Sequence, residues 1–179
     1  LCHRPELTMI WYYLGEFVAM LVLAALELSW APWLKLGGAV APKLVLVAVV
    51  LVGLFRGPLE GAWSGMAGAL CVAALGALPM GGLFVAYMGC GIFLGILGQT
   101  IFPNRLLLLM LTVFLAVLVA GIVGLIFAPP PVFGSWLGHL FLEALYSAVL
   151  TVPLVWLARL VLPVPAPPLP VTMPAGPPL

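Results

Sequence analysis

Charge is the scarcest property of this chain: Asp, Glu, Lys and Arg make up 6% of its 179 residues, and aspartate is absent altogether. A soluble domain carries about a quarter of its residues as charges, so a water-soluble fold is excluded. Without aspartate there can be no aspartate dyad, and no phosphate-binding glycine loop or dinucleotide fingerprint is present either. The two histidines, His3 and His139, and the three cysteines, Cys2, Cys71 and Cys90, stand at no metal-ligand spacing. Cys71 and Cys90 fall inside apolar runs and read as buried free thiols. This inventory points away from catalysis and calls for no metal or cofactor. A net charge of +1 also offers no basic patch to nucleic acid or to anionic headgroups.

Apolar residues fill the space that charge leaves. They account for 65% of the chain, and the mean hydropathy is +1.33. A membrane-spanning helix needs about 20 apolar residues at 1.5 Å each, and on that ruler six runs qualify: Met9 to Leu28, Val40 to Phe55, Leu59 to Leu78, Leu83 to Phe102, Leu106 to Phe127 and Trp136 to Leu162. The expected fold class is an all-α integral membrane protein, with one six-helix domain over residues 1–162. The second run is short unless it begins near Leu36, and the sixth can continue beyond the bilayer or kink at Pro153. Glu16 would interrupt a signal-peptide core, so the first run reads as a retained anchor. Residues 163–179 hold eight prolines and are expected to be an extended, disordered tail.

Basic residues set the expected orientation. Arg4, Arg56, Arg105 and Arg159 share one side of a six-span topology, whereas Lys35 and Lys43 share the other. The positive-inside rule then places both termini in the cytoplasm, with Trp30 and Trp33 in the outer aromatic belt.

The second and third runs meet at Leu54-Phe55-Arg56-Gly57-Pro58-Leu59-Glu60-Gly61. Arg56 suits the negative end of a helix and can snorkel to headgroups. Pro58 and Glu60 suit the first turn of the next helix, where a missing N–H is harmless and a carboxylate is favoured. These residues are expected to form a cytoplasmic elbow. Gly57, Gly61 and Gly65 then recur at every fourth position, with Gly68 continuing the face, and Gly91, Gly95 and Gly98 form a like stripe in the fourth run. Small residues at this spacing let helices approach closely in lipid, so the third and fourth helices are expected inside the bundle.

Two groups of polar residues interrupt the apolar runs. Glu16 and Glu27 are eleven apart, three turns plus about 20°, and share a face of the first helix. Glu27 lies near the interface and can be hydrated; Glu16 is deeper and suggests a structural or partner-binding role. His139, Glu143, Tyr146 and Ser147 form a narrow stripe on the last helix. Ser147 is two turns from His139, too far for direct proton transfer, so hydrogen bonding between helices is the expected use.

The elbow, followed by Ala62-Trp63-Ser64-Gly65-Met66-Ala67-Gly68-Ala69-Leu70, resembles the central segment of the rod shape-determining protein MreD family. Pro42 with Leu44 to Val50 resembles its second helix, Tyr87 to Gly98 its fourth, and Glu143 to Ala148 with Leu157-Ala158-Arg159 its last; the resemblance spans about Leu21 to Val161. Three positions depart from the family pattern: Val72 and Lys43 stand where an acidic residue, or for Lys43 an acid or amide, is frequent, and Ser147 stands in place of an asparagine.

The resemblance implies a multi-pass protein of the bacterial inner membrane, similar in fold to the substrate-binding membrane subunits of vitamin transporters. It implies a non-enzymatic scaffold of the cell-elongation machinery that binds an MreC-like partner and helps organise a peptidoglycan synthase complex of RodA and penicillin-binding protein 2. The alternative is a vitamin-binding transporter subunit. That function requires a polar pocket near the outer face and usually an Ala-x-x-x-Ala face on helix one; here Ala19 is followed by Leu23, and the third and fifth connections hold no ionisable residue. A membrane-embedded enzyme would need a reactive cluster that the polar inventory does not supply.

Overall fold

A computed structural model describes residues 5–34, 42–76, 80–100, 106–127, 129 and 133–161. They form six helices: α1 (Pro5–Leu34), α2 (Leu44–Arg56), α3 (Pro58–Gly76), α4 (Met80–Thr100), α5 (Leu106–Phe127) and α6 (Phe133–Val161). Five are long and apolar enough to cross a membrane, and α2 is the exception. Its 13 residues rise only about 20 Å. The expected start at Val40 is not met, because Pro42 and Lys43 are non-helical and Lys43 is the N-cap. α1 and α6 exceed their expected spans, with 30 and 29 residues, and α6 continues through Pro153. The 163–179 tail, Cys2, His3, Arg4, Lys35 and Arg105 lie outside the described residues, as do the side chains of Trp30, Trp33 and Arg159.

Consecutive helices run antiparallel. Val45 meets Glu27, Gly61 meets Gly53, Pro58 meets Gly95, Gly82 meets Phe127, and Phe114 meets Phe141. The bundle therefore has an elbow end, marked by Gly57, and a far end, where α2, α4 and α6 begin.

The elbow takes the form its residues dictate. α2 stops at Arg56, Gly57 alone is non-helical, and Pro58 opens α3. Gly57 has φ 107°, a region that side chains with a Cβ rarely adopt, and its N–H donates to the Gly53 carbonyl at 2.9 Å. The two helices fold back on each other through one residue.

Glycines set how closely α2, α3 and α4 pack. A Cβ at Gly65 would sit 2.6 Å from the Tyr87 carbonyl oxygen, and one at Gly53 would sit 2.7 Å from that of Gly91. Gly61 and Gly91 face each other, backbone on backbone, and Gly95 lies against Pro58. Gly68 receives the Val45 side chain. The expected close approach of α3 and α4 is therefore present, but the most enclosed helix is α2. Val45, Leu46, Val47, Val49 and Val50 are all fully buried, and α2 touches each of the other five helices. A helix that is apolar all round is a buried one. Among the described residues α1 touches only α2 and α3, and α4 and α6 do not touch each other.

Candidate functional site

Two polar clusters lie at opposite ends of this apolar bundle. At the elbow end, the Tyr12 hydroxyl donates to Glu60 Oε2 at 3.0 Å, and Arg56 Nη1 lies 3.5 Å from the same oxygen. The Arg56 guanidinium also stacks over the Tyr12 ring, 4.6 Å from its centroid. Arg56 thus turns onto Glu60 and Tyr12 rather than serving only as a headgroup anchor. Tyr13 continues the contact edge-on to Trp63, with ring centroids 5.5 Å apart. The cluster pins α1 to the α2–α3 elbow. Glu16 lies one turn deeper on α1, and both its carboxylate oxygens are buried without a hydrogen-bond partner among the described residues.

The far-end cluster is built around the start of α2. The first N–H groups of a helix have no partner within it. Here the Val45 N–H donates to Glu27 Oε2 at 2.9 Å, across the α1–α2 junction. Glu27 is therefore a helix cap supplied by a neighbouring helix, at the end where the dipole favours a negative charge. The Lys43 N–H donates to Ser147 Oγ at 3.2 Å, and Lys43 Nζ lies 3.4 Å from Glu143 Oε2. Two members of the α6 stripe thus reach Lys43, the N-cap of α2. Ser147 is fully buried, and its hydroxyl oxygen is the acceptor of this bond. Lys43 is the cation that Glu143 pairs with. Tyr146 is half-buried on the same helix, and His139 is exposed.

The remaining buried hydroxyls turn inward on their own helices. Ser64 donates to the Gly61 carbonyl at 3.1 Å, Thr112 to Leu108 at 2.7 Å, and Thr151 to Ser147 at 2.9 Å. Cys71 and Cys90 are buried free thiols, and Cys90 Sγ points at the Ala116 carbonyl, 3.7 Å away. No three His, Cys, Asp or Glu side chains come together among the described residues.

Beside the far-end cluster, a partly open cavity of about 400 Å³ lies between α4, α5 and α6. Lys43, Tyr87, His139 and Glu143 supply its polar lining, and Phe127 and Trp136 its aromatic part. Sequence reasoning missed this cavity because it looked for ionisable residues in the third and fifth connections. The polar groups come instead from the helices and from Lys43, which precedes α2.

Fold and polar clusters together define a polytopic α-helical membrane protein. Searches against protein-family models, characterised proteins and solved structures find no match to this chain.

Proposed function

We propose that this protein is a non-enzymatic scaffold of the bacterial inner membrane, with both termini cytoplasmic, that binds the single spanning helix of an MreC-like partner within the cell-elongation machinery. RodA and penicillin-binding protein 2 are the synthase components this assembly would organise. The observation that carries the reading is the elbow. Arg56, Gly57, Pro58 and Glu60 carry the family resemblance, and they form a one-residue turn held by Tyr12 of α1.

Partner docking in lipid rests on helix packing and a few polar contacts. α1 suits that task. Trp11, Leu14, Val18, Leu21 and Val22 are exposed along it, and among the described residues it rests on α2 and α3 alone. Of the candidate polar contacts, Glu143 and Ser147 are engaged within the chain, whereas the Glu16 carboxylate has no described partner. Glu16 is thus the polar group we assign to the assembly.

Co-purification of the tagged protein from native membranes in mild detergent, with partners identified by mass, tests this. Recovery of an MreC-like chain, weakened in Glu16→Leu, is the expected result. Recovery of a vitamin with an ATPase module, and no MreC-like chain, would overturn it.

A further inference from the structure

The far-end cavity has the features of a ligand site that the scaffold reading does not use. It is about 400 Å³, within the range of small-molecule sites. In its lining, Lys43 and Glu143 place a cation and an anion side by side, and their side chains keep 29% and 24% of their surface accessible. Tyr87 is 3% exposed and lines the cavity. A phenol in a cavity wall is a hydrogen-bond donor and acceptor that a ligand's polar atom can meet. Gly124 lines the α5 wall, and a Cβ added there would meet no atom within 4 Å. That wall faces open space, whereas Gly121 is covered by Leu140 and Gly82 by Phe127.

We propose that this cavity binds a small, net-neutral organic molecule with a flat apolar ring and a head group that presents a hydrogen-bond donor and acceptor together. The paired charges decide the head group. A singly charged ligand could match only one member of the Lys43–Glu143 pair, leaving the other desolvated without compensation. A zwitterionic or amide-like head answers both and brings no net charge into the membrane interior. The ring follows from the aromatic lining by Phe127, Trp136 and Tyr87.

A charge series on one ring tests the proposal without knowledge of the natural ligand. L-Tryptophan, tryptamine and indole-3-propionate share an indole but are zwitterion, cation and anion at neutral pH. Each is titrated into the purified protein, with binding read by calorimetry and thermal melting. The zwitterion should bind at least about tenfold more tightly than either charged analogue. Tyr87→Phe should weaken it about threefold to tenfold, the range for one hydrogen bond. Gly124→Leu fills the cavity and should abolish binding while melting like the parent chain without ligand. Should Gly124→Leu fail to fold, the Tyr87→Phe comparison and the charge order still decide. Equal binding of all three compounds, binding unchanged in the variants, or no binding by any of them would overturn the proposal. So would native mass spectrometry that finds a phospholipid seated at a site lost in Gly124→Leu.

Discussion

Glu27 shows how one side chain can do work that its own sequence neighbourhood does not announce. In α1 it is an acid in an apolar run, a costly placement that invites a functional interpretation. Its partner is the N–H of Val45, 18 residues away on the next helix, and periodicity along α1 carries no trace of that. The cap is what makes a short, buried α2 tolerable, because an unpaired N–H in lipid has no water to turn to. Glu27→Leu should therefore destabilise the protein by about 1–2 kcal/mol, the usual cost of a lost N-cap. Glu27→Gln keeps an acceptor and should lose much less. Reversible unfolding in detergent, followed by helical circular dichroism, checks the difference; equal losses in both variants would show that charge rather than capping matters. Lys43 and Glu143 follow a different rule. Removing either leaves the other without its counter-charge, so Lys43→Met and Glu143→Leu should each destabilise, and the double variant should recover part of the loss.

Among the elements, the elbow and the glycine stripes were legible because their signals are local. A Gly-Pro step fixes where α2 ends and α3 begins, and glycine at every fourth position fixes a face. The burial of α2 was not legible in the same way. Lipid is as apolar as a protein interior, so hydrophobicity cannot separate a lipid-facing valine from a core one, and small residues drew attention to α3 and α4 instead. The ion pair between Lys43 and Glu143 was hidden for a related reason: it joins residues 100 apart in sequence, and only tertiary packing brings them together. Close backbone approach gives the stripes a measurable consequence. Gly61→Leu and Gly65→Leu place a side chain against the backbone of α4, whereas Ala62 is only half-buried and its face is less crowded. Both glycine variants should lower the yield of folded protein and the melting temperature well below those of Ala62→Leu. Leucine is intrinsically the better helix former, so a stabilised glycine variant would refute the packing directly.

For the whole molecule, the antiparallel order of six helices puts the elbow end and the far end on opposite sides of whichever membrane the bundle occupies. Which end faces the cytoplasm depends on charge. Among the described residues the elbow end holds Arg56 and the far end Lys43; the sequence topology expects Arg4, Arg105 and Arg159 with the former and Lys35 with the latter. Four basic residues against two favour the elbow end inside. That orientation would place the cavity on the outer side, open to a ligand arriving from outside the cell, and would leave the Tyr12–Arg56–Glu60 cluster near cytoplasmic headgroups. Leu59 and Phe133 are suitable reporters, being 80% and 60% exposed at opposite ends of the bundle. Single cysteines at these two positions, introduced after the native thiols are replaced by alanine, should differ in their reaction with a membrane-impermeant maleimide on intact spheroplasts. Phe133→Cys should be labelled directly, and Leu59→Cys only after the membrane is permeabilised. The reverse pattern would invert the bundle and move the cavity to the cytoplasmic side. Labelling of both from outside would mean that α2 and α3 do not enter the membrane as the elbow requires.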